Sequence, residues 1–312
     1  MECIYKVHDA ISAAFYGVAL FGVAGTLQIA QVSSFICTPF SEHIVVAVNS
    51  HLVGLVWKTM QYVFEKRKKA HITFSGDHIP REESALVFSN HRSWIDYYMI
   101  HSVASRRNML HNCKYFVKDS IKWLPFFGWG MWLAGFVFVR RNWTKDQKKI
   151  KKSFSKIKRM KTPVWIISYL EGSRFTTEKM IECQAFSKER GLPILQHVLT
   201  PRTKGFVTCV QEFRNSHVKC VYDFTIAYRH NIKNNPSSGF LEAPSMVRLH
   251  TRRLSPEYDF HVHVKRFMID ELPEEEDALS GWVMERYVEK DRFLASLKDD
   301  WLKGQEIDLC IK

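Results

Sequence analysis

The 312-residue chain has no C-x-x-C pair, although it contains seven cysteines. These are widely scattered and odd in number: Cys3, Cys37, Cys113, Cys183, Cys209, Cys220 and Cys310. The pattern argues against a disulfide framework and against a zinc site. We therefore expect the main part of the protein to face a reducing compartment.

The chain also has no G-x-S-x-G sequence, no internal repeat and no low-complexity tract. The first absence excludes the serine nucleophile elbow of the α/β-hydrolases. The other two exclude a repeat array and general disorder, and a hydrophobic content of 46% is ample for a buried core.

Charged side chains are absent from residues 10–41. As one helix this run would measure about 48 Å at 1.5 Å per residue, which exceeds a hydrocarbon core of about 30 Å. A cleaved signal peptide is disfavoured, because the run is too long and Lys6 is the only Lys or Arg before it. A second apolar stretch at 44–57 is too short to cross a bilayer by itself.

These two stretches predict a membrane-embedded helical segment over 1–64, followed by a main domain over 65–312. Two helices that dip into one leaflet, or one tilted span with an interfacial helix, fit the lengths better than two full crossings. The basic cluster at 66–69 places the main domain on the cytosolic side if the positive-inside rule holds. The alternative is a buried pair of core helices.

The positive charge of the chain, +13 in total, is concentrated in residues 140–161, which hold eleven Lys or Arg and one acid, Asp146. Ile150, Phe154 and Ile157 recur there at helical spacing, which predicts a basic amphipathic helix. Such a helix suits an anionic membrane surface or an acidic ligand; a solvated face without a partner is the alternative. No nucleic-acid-binding module accompanies it, so we expect no nucleic-acid partner.

Short apolar segments alternate with helical ones after residue 69, which predicts an α/β fold. The predicted strands are 71–77, 84–88, 115–117, 164–167, 218–228 and 261–264, the last at a sheet edge, and 273–297 is a predicted helix. His261 and His263 lie on one face of the last strand, but no third metal ligand is evident, so no metal site is predicted.

A histidine and a carboxylate stand five positions apart in the sequence N-H-R-S-W-I-D at 90–96, directly after a predicted strand. Reactive side chains of α/β enzymes are exposed at such strand ends. The pattern alone is a weak signal, and a satisfied histidine at a helix start is the simpler interpretation of His91.

Three further motifs follow in order. They are G-F-V-F-V-R-R at 135–141, E-G-S-R at 171–174 behind Tyr169 and Leu170, and L-T-P-R-T-K-G-F at 199–206. Together with the histidine motif they resemble the four sequence blocks of the glycerolipid acyltransferases, specifically the eukaryotic 1-acylglycerol-3-phosphate acyltransferase and lysophospholipid acyltransferase branch. The resemblance extends over 84–297, roughly two thirds of the chain.

The resemblance implies a mostly parallel central sheet flanked by helices, in a membrane-bound enzyme of the endoplasmic reticulum. The implied reaction moves a fatty acyl group from acyl-CoA, a co-substrate, to the sn-2 hydroxyl of 1-acylglycerol-3-phosphate and gives phosphatidic acid, without a cofactor. Lysophosphatidylinositol and lysocardiolipin are alternative acceptors. A catalytically silent lipid-binding protein is the alternative of another class.

His91 is the candidate general base, because acyl transfer to an alcohol needs a base that histidine supplies most readily near neutral pH. Asp96 would fix its tautomer and stabilise the imidazolium. Since no activated serine is evident, direct attack of the acceptor hydroxyl on the thioester is the simpler mechanism. A lipid hydrolase is disfavoured by the missing nucleophile elbow.

The resemblance also assigns substrate contacts. Arg141 and Arg174 match phosphate-binding positions, where the planar guanidinium provides paired donors, and an arginine paired with a carboxylate is the alternative for each. Glu171, Gly172 and Ser173 would shape the same loop. The chain departs from the usual pattern here, because Ser173 stands where Thr is common and residues 169–170 stand where Phe-Pro is frequent.

Two further positions match the family. Lys118 would hold either the glycerol-phosphate or the coenzyme A phosphates, and an ordinary surface lysine is the alternative. Pro201, in the fourth motif, would line the acyl-donor side, and a purely structural turn is the alternative.

Overall fold

The computed structural model describes residues 2–37, 40–125, 127–140, 143–231 and 239–302. Within these residues, seven strands form one sheet of order β1-β7-β6-β2-β5-β3-β4. The strands are β1 Ile72–Gly76, β2 Ala85–Ser89, β3 Cys113–Lys118, β4 Val137–Val139, β5 Trp165–Tyr169, β6 Cys220–His230 and β7 Tyr258–Met268. The helices are α1 Glu2–Ser33, α2 Glu42–Tyr62, α3 Asp96–Arg106, α4 Phe127–Leu133, α5 Trp143–Met160, α6 Thr177–Glu189, α7 Thr203–Phe213, α8 Met246–Thr251 and α9 Glu276–Leu302.

Neighbouring strands run parallel except for β6 and β7, which pair antiparallel. This confirms the predicted α/β fold with a mostly parallel central sheet. Every residue of β2, between β5 and β6, is buried, which explains its continuous apolar sequence. Because β2, β5, β3 and β4 are parallel, their carboxyl ends share one edge of the sheet.

The prediction that 261–264 form an edge strand is wrong. β7 spans Tyr258–Met268 and lies between β1 and β6, so the edge belongs to β1. The alternating pattern arose because one face of β7 is less deeply covered than the other, not because a neighbouring strand is missing. His261 and His263 both hydrogen-bond Ser75 of β1, at 2.9 and 2.6 Å.

Helices cover both faces of the sheet and form two apolar cores. The first core contains Phe64 and α3 side chains such as Tyr98. The second is built with α5, α7 and α9, and the α5 residues Ile150, Phe154 and Ile157 are 4%, 0% and 8% exposed within it. The predicted apolar stripe of the basic helix therefore packs on the sheet, and its lysines face outward.

The N-terminal apolar region forms two helices, α1 and α2. In the described part of the chain, one helical segment, residues 10–33 of α1, is long and apolar enough to cross a membrane, and only 6% of its apolar 18-residue window is buried. Large apolar side chains such as Phe15 and Val18 are therefore exposed, at 67% and 75%. By contrast, α2 sends Val53 and Val56 into the first core, so it connects α1 to the domain.

Candidate active site

The first and third motifs meet because their strands are neighbours. β2 ends at Ser89 and β5 ends at Tyr169, and these two residues are paired in register. The loops that follow therefore leave the same edge of the sheet side by side. Asn90 follows β2 directly, and its side chain donates to the Ile226 carbonyl at 2.9 Å and accepts from the Ile226 N–H at 2.8 Å. This fixes the direction in which the chain enters the histidine motif.

His91 and Asp96 form a hydrogen-bonded pair, with 2.8 Å between Nδ1 and Oδ2. Asp96 begins α3 and is fully buried, whereas the His91 side chain is 21% exposed. Among the described residues, no group hydrogen-bonds His91 Nε2. The imidazole is thus held at one nitrogen and open at the other.

The Asp96 carboxylate has three further donors. The backbone N–H groups of Arg92 and Ser93 lie 2.7 and 3.0 Å from Oδ2, and the Tyr228 hydroxyl donates to Oδ1 at 2.6 Å. Hydrogen bonds to a charged group are stronger than those between neutral groups. Together they fix the carboxylate, and through it the tautomer and orientation of His91.

Tyr169 stacks on the imidazole of His91, with ring centroids 4.1 Å apart and planes inclined by 17°. Burial raises the pKa of Tyr169 well above its usual value, and the nearby Asp96 acts in the same direction, so the phenol is neutral. The aromatic ring that the resemblance leads us to expect at this position is therefore retained, and it packs directly against the histidine.

Glu171 connects three of the four motifs. It is 4% exposed, and it accepts hydrogen bonds from the N–H of His91 at 2.9 Å and the N–H of Leu199 at 3.2 Å. Burial raises the pKa of Glu171 to about 8, while these two N–H donors oppose the increase. The Glu171 side chain thus holds the backbone of the first and fourth motifs in place.

Gly172 follows in the left-handed region, at φ +69°. A Cβ there would lie 3.1 Å from Cδ and Nε of Arg202, so a larger residue would be strained and crowded at once. Pro201 is buried in the segment that precedes α7, and the N–H of Arg202 donates to the Leu170 carbonyl at 2.8 Å. The third and fourth motifs are therefore packed together.

Cationic side chains lie on the elements next to the His91–Asp96 pair. Arg174 is exposed, and its guanidinium carbon is 4.6 Å from the ring centroid of Trp94, beside the histidine motif. Lys118 is exposed at the carboxyl end of β3, the strand next to β5, and makes no ion pair within the described ranges. Ser173 is half-buried. Arg141 lies outside the described residues.

Two residues of this site were not predicted from the sequence. Tyr228 lies on β6, 132 residues from its partner Asp96, and belongs to none of the motifs. Arg92 lies within the first motif, and its guanidinium carbon is 3.8 Å from the ring centroid of Phe175, while its Nε donates to the Leu241 carbonyl at 3.1 Å. Burial lowers the pKa of Arg92 to about 10, which leaves it charged.

This arrangement is suited to proton transfer with an incoming hydroxyl. The paired His91 has a free Nε2, which can accept a proton, and its partner Asp96 stabilises the resulting imidazolium. Neither Ser93 nor Ser173 is hydrogen-bonded to His91 in the described part of the chain, so neither is positioned as a nucleophile activated by this base.

This α/β domain agrees with the fold that the resemblance to the glycerolipid acyltransferases implies. The fold is similar to the crystal structure of the 1-acyl-sn-glycerophosphate acyltransferase PlsC from Thermotoga maritima, with a TM-score of 0.51 over 94% of this chain and 98% of that one. The sequence identity is 16%, so this similarity establishes the fold alone.

The sequence establishes the family. Residues 71–229 match the acyltransferase family and residues 256–305 match the acyltransferase C-terminus family. The chain belongs to the glycerolipid acyltransferase family.

Its relatives include the probable 1-acyl-sn-glycerol-3-phosphate acyltransferase 5 of Arabidopsis thaliana, 34% identical over 75% of this chain and 58% of the relative. The 1-acyl-sn-glycerol-3-phosphate acyltransferase 3 of the same plant is 32% identical over 87% of this chain and 70% of the relative. The epsilon enzyme of Mus musculus is 29% identical over 81% and 68%. The chain thus spans little more than half the length of the first of these relatives.

Proposed function

We propose that this protein is a membrane-bound O-acyltransferase that moves a fatty acyl group from acyl-CoA to the sn-2 hydroxyl of 1-acylglycerol-3-phosphate, giving phosphatidic acid. The observation that carries the proposal is the His91–Asp96 pair at 2.8 Å, with Nε2 unengaged by described residues. Family membership supports the acyl-transfer chemistry, and the names of the relatives support the acceptor.

In the proposed reaction, the acceptor hydroxyl donates its proton to His91 Nε2 while its oxygen attacks the thioester carbonyl carbon. Asp96 stabilises the imidazolium that forms. The tetrahedral intermediate then collapses, the carbon–sulfur bond breaks, and the leaving sulfur takes the proton from the imidazolium. No covalent acyl-enzyme is needed, because the thioester is already reactive.

Arg174 and Lys118 are the proposed contacts of the acceptor phosphate. Arg141 is proposed as a third contact, because it belongs to the second motif. Arginine suits this role because its planar fork offers two parallel donors to phosphate oxygens. Glu171 positions the base through its backbone N–H, and Gly172 and Ser173 shape the loop next to it.

Pro201 has a separate role at the acyl-donor side. It is buried in the segment before α7, where the Arg202 N–H bonds the Leu170 carbonyl at 2.8 Å. We propose that the fourth motif thereby lines the path of the donor. We also propose that the enzyme works without metal or cofactor, since histidine supplies the proton transfer and acyl-CoA supplies the activated acyl group.

Residues 1–64 are the proposed membrane-embedded segment, and 65–312 the proposed acyltransferase domain. The exposed apolar side chains of α1 support this division. The basic cluster at 66–69 supports a cytosolic catalytic domain, and the reducing environment inferred from the cysteines agrees with it. The endoplasmic reticulum membrane is the proposed location.

A panel assay tests the proposed reaction. Purified full-length protein is incubated with radiolabelled oleoyl-CoA and, separately, with 1-acylglycerol-3-phosphate, lysophosphatidylinositol or lysocardiolipin, and the labelled lipids are separated. The proposal predicts labelled phosphatidic acid at the highest kcat/KM. Preferred labelling of another acceptor would assign that lipid instead, and saturable lipid binding without any transfer would indicate a silent lipid-binding protein.

A further inference from the structure

A cavity of about 580 Å³ lies at the opposite edge of the sheet from His91. It is bounded by α2, by the turn before β3 and by the link from α5 to β5. Its lining includes Ser50, His51, Glu82, His111, Lys114 and Pro163. None of the described residues assigned above to catalysis or substrate binding lines it. Its volume falls within the range of about 300 to 1,000 Å³ typical of small-molecule sites.

Basic nitrogen groups from three elements converge in this cavity. The rings of His51 and His111 are 6.2 Å apart. Lys114 is 5% exposed, and its Nζ donates to Ser50 Oγ at 3.3 Å and to the Ala134 carbonyl. Glu82 is the one acidic side chain in the lining that the structure describes, and it is hydrogen-bonded by Asn108. The described lining therefore holds one lysine and two histidines against a single carboxylate.

Burial makes two of these groups, Lys114 and His111, harder to protonate. Burial lowers the pKa of Lys114 to about 8, which leaves it mostly charged at neutral pH. Burial and then the neighbouring His51 lower the pKa of His111, with Lys114 acting in the same direction and Glu82 against it. A bound anion would oppose this effect, because it favours the charged forms of Lys114 and His111.

The cavity is built where α2 approaches the domain most closely. A Cβ on Gly54 would lie 2.5 Å from Cβ of His111, so the glycine permits the helix to cross directly over the turn before β3. His51 and Ser50 lie one turn earlier on the same helix, at the cavity. The position of the cationic groups is thus fixed by the packing of α2.

Charged and apolar side chains lie on α2 and α5 near the cavity, and Val48 lines it. At the end of α5, Lys156 and Arg159 both pair with Glu42 in the first turn of α2, at 2.9 and 2.5 Å. On α2 itself, Ile44 and Val48 are exposed, at 54% and 37%. An interior with lysine and histidine donors, beside exposed apolar side chains of α2, is complementary to a molecule with an anionic head and hydrocarbon chains.

We propose that this cavity binds the phosphate headgroup of an anionic phospholipid, at a site separate from the catalytic one. The lipid phosphate contacts His51, His111 and Lys114, and its acyl chains lie along the exposed apolar side chains of α2. Bound there, the lipid bridges α2 to the turn before β3 and fixes how the domain sits on the membrane. This inference rests on the proposed attachment of the N-terminal helices to a membrane.

Histidine modification by diethyl pyrocarbonate tests the site locally, in full-length protein held in a neutral detergent. Dioctanoyl phosphatidylglycerol is the probe, dioctanoyl phosphatidylcholine is the zwitterionic control, and inorganic phosphate is the free anion. At a probe concentration of about four times Kd, phosphatidylglycerol should slow modification of His51 and His111 about fivefold by mass action. His43, exposed on the same helix outside the cavity, is the internal control and should change less than about twofold.

Three variants sharpen the test. Lys114→Met removes the buried cation. His51→Gln removes an exposed side chain, so its loss leaves the packing intact. In both variants the modification rate of His111 is the readout. In both, the lipid should no longer protect His111. Lys152→Met removes an exposed α5 charge that does not line the cavity, and protection should persist.

Any of three results would overturn the proposal. Phosphatidylglycerol could protect His43 as strongly as it protects His51 and His111, phosphatidylcholine could protect the cavity histidines as strongly as phosphatidylglycerol does, or His111 could remain fully protected in both cavity variants. Equal protection by inorganic phosphate alone would assign the cavity to a free anion and would overturn its lipid occupant. The readout needs neither acyl transfer nor a bilayer, so its failure is distinguishable from failure of the proposed reaction or of the membrane attachment.

Discussion

Glu171 accepts a hydrogen bond from the backbone N–H of His91 at 2.9 Å, although 80 residues separate them in the chain. Its second carboxylate oxygen accepts the N–H of Leu199, so one buried side chain joins three motifs. The proposed base is therefore positioned from two sides. Asp96 holds the imidazole, and Glu171 holds the backbone from which the imidazole projects.

Glu171→Gln should lower kcat by about ten- to hundredfold, because a side-chain amide has one acceptor oxygen for two N–H donors and a buried donor left without a partner costs about 1 to 3 kcal/mol. Steady-state kinetics with lysophosphatidate measures this effect. Glu182→Gln, an equal change of charge at an exposed position of α6, is the matched control and should leave kcat unchanged. Equal kcat in the two variants would contradict the positioning role of Glu171.

The same substitution should change the pH dependence of stability. Burial raises the pKa of Glu171 from 4.5 in the unfolded chain to about 8 in the folded protein. The folded state then binds the proton more tightly, so the contribution of this group to the free energy of unfolding is full below about pH 4.5 and is lost as pH rises to about 8. The difference in Tm between wild type and Glu171→Gln should therefore fall from pH 5 to pH 8, as measured by thermal unfolding in detergent. A constant difference would show that the carboxyl is not protonated in this range.

Tyr228→Phe should lower kcat by up to about tenfold with little change in KM, because Asp96 loses one of its donors and keeps the others. The ring still fills its buried position, so the fold should persist. Tyr222→Phe is the matched control, since Tyr222 lies on the same strand and donates to Glu83, which is not part of the site. If the two variants have the same activity, the hydroxyl of Tyr228 does not support the catalytic pair.

Arg174→Lys should lower kcat/KM for lysophosphatidate by about ten- to hundredfold, because lysine retains the charge but not the paired donors. Hydrolysis of acyl-CoA by water, which involves no acceptor phosphate, should fall much less. Arg190→Lys, which changes another exposed arginine that stacks on an aromatic ring, Phe186, should affect neither reaction. Equal losses in transfer and hydrolysis would place Arg174 on the donor side or in support of the loop.

The membrane attachment predicts resistance to extraction. Because α1 exposes large apolar side chains, the protein should stay with membranes in high salt and in alkaline carbonate, and only detergent should release it. Attachment through the basic helix α5 alone would be reversed by salt. Immunoblots of pellet and supernatant after each wash distinguish these cases, and full-length protein in the carbonate supernatant would contradict embedding.

The local parts of this structure were predictable from the sequence. The apolar run of β2, followed directly by His91 and Asp96, placed the pair at a strand end because strand and motif are contiguous. The α5 stripe was predictable for the same reason, since helical spacing reports which face is buried.

The long-range parts were not predictable, because they depend on the order of strands in the sheet. Tyr228 reaches Asp96 because β6 lies beside β2, and no local pattern encodes that neighbour. The same limit explains the wrong prediction of β7 as an edge strand: its alternating sequence reports burial of its faces, whereas its position between β1 and β6 depends on pairings with distant segments.

Transfer of labelled oleate to lysophosphatidate by purified His91→Ala tests the central claim most directly. Loss of a general base lowers rates by about 10² to 10⁴, so the variant should form almost no phosphatidic acid while its Tm and detergent behaviour match wild type. His71→Ala, at an exposed position before β1, is the matched control and should retain full activity. Turnover by His91→Ala close to that of wild type would contradict the account.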